Sequence, residues 1–151
     1  MMIAWNRCHR DFEVDAGLCD IYVHNVTIAE WRAVFDALIE NYSLEYSVDN
    51  VSQPLPESVD AAFAIKSSAM PALYFHAGRV LVGCHFYWDE EIEFDIDLSE
   101  VTSQEALDDL LRFIRLLGQT TRRAVTLTRE NDEKRPFIIY DAVRKDFDYL
   151  G

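Results

Sequence analysis

The sequence predicts an α+β fold, an antiparallel β-sheet with two main helices packed on one face. Three observations carry this expectation. Two long segments hold the apolar stripe of a helix, and most of the remaining chain reads as short strand-like runs bounded by turn residues. A candidate strand also precedes each strand–helix passage closely enough to pair with it as a hairpin.

The first helix is "TIAEWRAVFDALIENYS". Ile28, Trp31, Val34, Phe35, Leu38, Ile39 and Tyr42 fall on one stripe, and Thr27 with Glu30 has the spacing of a capping box. The second is "TSQEALDDLLRFIRLLG", with Leu107, Leu110, Leu111, Ile114 and Leu117 on its stripe. Thr102 with Glu105 repeats the capping-box spacing, and Gly118 is the expected C-terminal stop. Strands are expected over Asp11–Val14, Leu18–Val23, Leu44–Val48, Ala72–Phe75, Arg79–Trp88, Glu91–Leu98, Arg123–Thr128, Phe137–Asp141 and Phe147–Leu150, with a short helix within Glu57–Ser68. Breaks fall at Ala16-Gly17, at "QPLPES", at Ala77-Gly78 and at "RENDEKRP". No linker or low-complexity stretch divides the chain, so residues 1–151 are expected to form one α+β domain. "DIYVHNVTIAE" and "DIDLSEVTSQE", 75 residues apart, share Asp, Ile, Val, Thr and Glu at matching places. That offset raises the expectation of a duplicated β-β-α-β unit.

Composition narrows function. Half of the 151 residues are hydrophobic and 13% aromatic, which is enough for a folded core. With 27 acidic against 14 basic residues, the net charge of −13 argues against nucleic-acid or anionic-membrane binding, both of which need a basic footprint. It favours a basic protein partner. The three cysteines show no framework spacing, which suits a reducing cytosol. The N-terminal "MMIAWNRCHRDFEV" lacks the apolar run of a signal peptide, and no run approaches the roughly 20 apolar residues of a membrane span. A cytoplasmic location is expected.

The most unusual feature is "EEIEFDIDLSE". Glu91, Glu93, Asp95 and Asp97 alternate with Ile92, Phe94, Ile96 and Leu98, the period-two pattern of a strand with one buried face and one acidic face. Stacked like charges and strand aspartates are both disfavoured, so the ladder needs a reason. A two-residue turn at Asp89-Glu90 would set Phe86 against Glu93 and mix the faces. An odd loop, Asp89-Glu90-Glu91, sets Trp88, Phe86, Cys84 and Val82 against Ile92, Phe94, Ile96 and Leu98. The polar face then aligns Tyr87 with Glu93, His85 with Asp95 and Gly83 with Asp97, with Tyr74, His76 and Arg79 further along.

Chemistry-bearing motifs are sparse. Carboxylates two apart on a strand stand about 7 Å from each other and would need loop oxygens to share an ion. Cys8, His9, Cys19 and His24 include no paired zinc ligands, and the adjacent Cys8 and His9 would point to opposite faces of a strand. The five glycines form no phosphate-binding loop. His85 beside Asp95 or Glu93 would be an acid–base pair with a raised histidine pKa, yet no nucleophile motif accompanies it. No metal, cofactor or catalytic residue is expected.

The acidic ladder and the hairpin-like ending "RPFIIYDAVRKDFDYL" resemble the small, acidic, cytoplasmic α+β immunity proteins of bacterial toxin–immunity systems. The resemblance implies a non-enzymatic protein that blocks a cognate toxin, often a basic nuclease. The expected partner-binding residues are Glu91, Glu93, Asp95, Asp97, His85 and Tyr87. The order of elements from Thr27 to Thr128 is also similar to that of secretion chaperones, which wrap an effector segment around apolar grooves. The extra N-terminal strands and the β-rich C-terminus depart from that pattern. A small hydrolase using His85 with Asp95 is the remaining alternative.

Overall fold

The computed structural model describes residues 2–13, 17–130 and 132–151. In chain order the elements are α1 (Trp5–Glu13), β1 (Leu18–His24), α2 (Ile28–Asn41), β2 (Glu45–Val48), β3 (Val51–Gln53), α3 (Val59–Ile65), β4 (Pro71–Ala77), β5 (Val80–Trp88) and β6 (Glu91–Asp97). A 3-10 turn (Leu98–Glu100), α4 (Gln104–Thr121), β7 (Val125–Arg129), β8 (Ile138–Asp141) and β9 (Asp146–Tyr149) follow. The strands form one sheet in the order β3-β2-β4-β5-β6-β1-β7-β8-β9, and every adjacent pair is antiparallel. The fold class is α+β, as the two apolar periods require.

The inner sheet face and the helices share one core. Phe94 and Phe75 meet Phe113 of α4 with ring centroids 5.0 and 5.3 Å apart, and Trp31 of α2 stacks on Phe86 at 5.5 Å. Val82, Cys84, Phe86, Ile92, Phe94 and Ile96 are all buried, so the alternation correctly marks the inward face. Thr27 caps α2 with a reciprocal box: Glu30 N–H donates to Thr27 Oγ1 at 3.2 Å, and Thr27 N–H donates to Glu30 Oε1 at 3.0 Å.

Several expectations are corrected. The strand expected over Asp11–Val14 is instead the end of α1, with Val14 outside the described residues. Cys8 and Phe12, four residues apart, give that helix its buried side, with Trp5 packed partly buried beside them and polar or charged residues on the remaining positions. Cys8 and His9 therefore lie on a helix, so the opposite-faces argument does not apply to them. The described element ahead of β1 is then a helix, and among the described residues β-β-α-β occurs as β5-β6-α4-β7 without a counterpart in the first half. The crossovers differ too: β1 and β2 are separated by three strands, β6 and β7 by one. At α4 the N-cap is Ser103, whose Oγ accepts from Ala106 N–H at 3.2 Å, one residue past Thr102. Gly118 does not stop α4. The helix runs to Thr121, and Arg122 closes it in the left-handed conformation with φ 57°. Gly118 instead admits the Tyr140 ring, since a Cβ there would lie 2.2 Å from Tyr140 Cδ2.

The β5–β6 hairpin resolves its parity in an unexpected way. It does use the two-residue turn Asp89-Glu90, with Trp88 opposite Glu91, but further down His85 faces Glu93, Cys84 faces Phe94 and Gly83 faces Asp95. Phe86 and Tyr87 thus stand against Ile92 alone, a β-bulge with one extra residue on β5. The bulge keeps Phe86 inside and moves Trp88 from the expected core position opposite Ile92 to a site 66% exposed.

Candidate functional site

The outer face of the central strands carries the polar residues. Two rows cross it: Tyr22, Glu93 and His85 in one, and Thr128, Asp20, Asp95 and Gly83 in the next. β1 contributes Asp20 and Tyr22 because "CDIYV" alternates Cys19, Ile21 and Val23 inward. Gly83 makes room on β5: a Cβ there would lie 2.6 Å from Asp95 Oδ1, so its absence lets the Asp95 carboxylate lie over that strand. His85 Nε2 meets Asp95 Oδ2 at 2.7 Å, the pairing expected from sequence, although the backbone partner of His85 is Glu93. Tyr22 donates its hydroxyl to Glu93 Oε1 at 3.1 Å. The His85 and Tyr87 rings stack at 5.3 Å, and those of Tyr22 and His24 at 5.1 Å.

Asp20, Tyr22, His85, Tyr87, Glu93 and Asp95 line a cleft of about 420 Å³, which Leu18 at the start of β1 and Glu130 and Glu133 from the loop after β7 complete. Its electrostatics are lopsided. Burial pushes the Asp20 carboxyl up to about 6, and Glu93, Asp95 and Glu130 push the same way. Burial also raises Glu93. The hydrogen bond to Asp95 raises His85, so that imidazole favours its charged form and is the cleft's one compensating cation among the lining residues.

The expected ladder divides into parts. Glu93 and Asp95 sit in the cleft with His85 and Tyr87. Glu91 is bound to His24 Nδ1 at 2.7 Å. Asp97 is exposed and accepts from Ser99 N–H at 2.9 Å and Ser99 Oγ at 2.7 Å, which holds its carboxyl below the usual range. Tyr74 lies against Gly83, and His76 is exposed on the same face. Arg79 does not join them: it reaches Glu105 at 2.7 Å and Asp109 at 3.8 Å on α4.

Among the described residues, His24, Glu91 and Glu133 alone form a group of three close enough to share a metal ion. Their geometry is that of an imidazole between two carboxylates: Glu91 faces Nδ1, and Glu133 faces Nε2 at 3.6 Å. The three cysteines are free and buried, and burial pushes the Cys8 thiol up to about 11. Among the described residues, no helix is long and apolar enough to cross a membrane.

Sequence reasoning missed Asp20, Tyr22, Glu130 and Glu133. For Asp20 and Tyr22 a signal existed, the alternation of β1. Which strand β1 would join was not written in it.

Compared with family models, curated proteins and solved structures, the chain matches none.

Proposed function

We propose that this chain is an acidic, non-enzymatic protein-binding module of the toxin-immunity kind, acting in the cytoplasm, that blocks a basic partner through the cleft around Asp20, Glu93 and Asp95. One observation carries the reading: five carboxylates (Asp20, Glu93, Asp95, Glu130 and Glu133) gather in a cleft whose described lining residues offer a single histidine to balance them. Such a surface carries repulsion until cationic groups cover it, and its field draws a basic partner in over long range. The free, buried cysteines fit a reducing compartment.

The experiment pairs the chain with the product of the gene beside its own and measures protection from that product's toxicity and association rate against salt. Asp20→Asn with Glu93→Gln should slow association by about tenfold or more at low salt, in the range of electrostatic steering, and leave the protein folded. An association rate unchanged at every salt concentration would sink the reading.

A hydrolase using His85 with Asp95 draws support from their 2.7 Å contact and from the raised Asp20. Against it, the described residues that line the cleft include no serine, threonine, cysteine or lysine to act as a nucleophile.

A further inference from the structure

The cleft has a neighbour. A second cavity, of about 310 Å³, opens beside it, lined by Met70, Pro71, Phe86 and Trp88 with the Lys66 side chain at its edge. His85 and Tyr87 line both cavities and so form the wall between them. The character of the surface changes across that wall, from carboxylates on one side to apolar carbon on the other. Trp88 is 66% exposed and Met70 67% exposed. Large aromatic and thioether side chains left in water beside a pocket are what protein-binding surfaces use as anchors.

The exposure of Trp88 has a definite cause. Regular alternation along β5 would turn it into the core opposite Ile92, and the Phe86–Tyr87 bulge turns it out, opposite Glu91. Bulges are used to re-aim side chains in this way near sites of function. The ring is also held from one side. The Lys66 ammonium stands 5.2 Å from the Trp88 ring centroid and donates to the Tyr87 carbonyl at 2.6 Å.

Resting on the protein-binding reading above, we propose that the two cavities are adjoining subsites for one extended segment of the partner. An arginine of that segment enters the acidic cleft, and a bulky apolar side chain two residues away enters the Trp88–Met70 pocket. The spacing follows from extended geometry, in which residues i and i+2 share a face about 7 Å apart.

Arginine rather than a metal ion fits the acidic side on two grounds. Asp20, Glu93 and Asp95 do not approach one another closely enough to share an ion, whereas a planar guanidinium offers five donors over a wider span. Tyr22 and Tyr87 supply aromatic walls suited to a cation.

The test uses the whole chain and three blocked pentapeptides, read by amide and indole NMR shifts. One carries arginine and leucine two positions apart. The second has citrulline for arginine, and the third serine for leucine. The first should bind saturably and shift both the Trp88 indole and the Asp20 and Glu93 amides. Citrulline should weaken binding about tenfold at low salt, the scale of one lost charge-assisted contact. Serine should weaken it about fivefold, as for a partly buried leucine, and leave the Trp88 indole unmoved. Trp88→Ala should erase the leucine advantage alone, and Asp20→Asn with Glu93→Gln the arginine advantage alone. If serine binds as well as leucine, with shifts confined to the cleft, the two-subsite inference falls while acidic docking stands. If citrulline equals arginine, both fall. No saturable shift from the arginine–leucine peptide at millimolar concentration also overturns the inference.

Discussion

The two faces of β6 differ in how each uses its side chains. Inward, Ile92, Phe94 and Ile96 are buried, and each contributes to one shared core. Outward, Glu91, Glu93, Asp95 and Asp97 look like one ladder and serve separate ends. The outer two are occupied, Glu91 by His24 and Asp97 by the Ser99 turn, while the middle two join Asp20 in the cleft. Apolar burial is non-directional, so any side chain of the right size on the inner face contributes. A carboxylate depends on what stands within a few ångströms of it. Four like charges on one strand can therefore have different values to the fold, and the inner face supplies the stability that lets the middle of the outer face remain unbalanced.

The largest test of this contrast is Phe94→Ala. The ring packs edge-on against Phe113 at 5.0 Å and is fully buried, so its loss should cost about 3–5 kcal/mol in chemical denaturation. A cost below about 1 kcal/mol, ordinary for a surface change, would show that the inner face is not where stability lies. Next comes Asp97→Ala at the occupied end. Losing a cap of this type should cost about 0.5–2 kcal/mol, and no loss would deny Asp97 its structural part. Gly83→Ala would drive a methyl against Asp95 Oδ1 and cost about 1 kcal/mol, typical of a point substitution. It should also lower the NMR titration midpoint of His85, because Asp95 would be displaced from the ring. An unchanged midpoint would mean that Asp95 does not depend on the glycine.

The smallest expected effect has the opposite sign. Asp20 faces Asp95 across the β1–β6 pair, so Asp20→Asn should raise stability at neutral pH by roughly 0.2–1 kcal/mol, the range for opposed like charges. The same group sets a pH dependence. Its carboxyl is raised from 3.8 to about 6 in the folded protein, so the fold binds that proton more tightly than the unfolded chain does. The resulting stability is complete below the unfolded value and lost as pH rises through about 6. Glu93 and His85 are also raised and act in the same sense. Thermal denaturation should accordingly show the protein gaining stability relative to Asp20→Asn as pH falls from about 7 to about 4, most of it below about 6. A stability that falls relative to Asp20→Asn over that range would contradict the crowding of the cleft.

Periodicity and capping chemistry alone determined the α+β class, the spans of α2 and α4 to within a turn, and the inward residues of β6 and of β5 up to Phe86. These are local properties: alternation, stripe and cap are set by neighbours a few residues away. Tertiary structure decided the rest. Asp20 joins Asp95 only because β1 lies beside β6, 75 residues away in the chain, and no pattern within "LCDIYVH" specifies that partner. Trp88 carries the residue type and parity of a core position, and a bulge two residues earlier puts it in solvent. Gly118 has the sequence context of a helix stop, yet it is the contact point for Tyr140, which arrives from β8. A strand's faces follow from its own sequence, whereas its neighbours follow from how the whole chain buries its apolar surface.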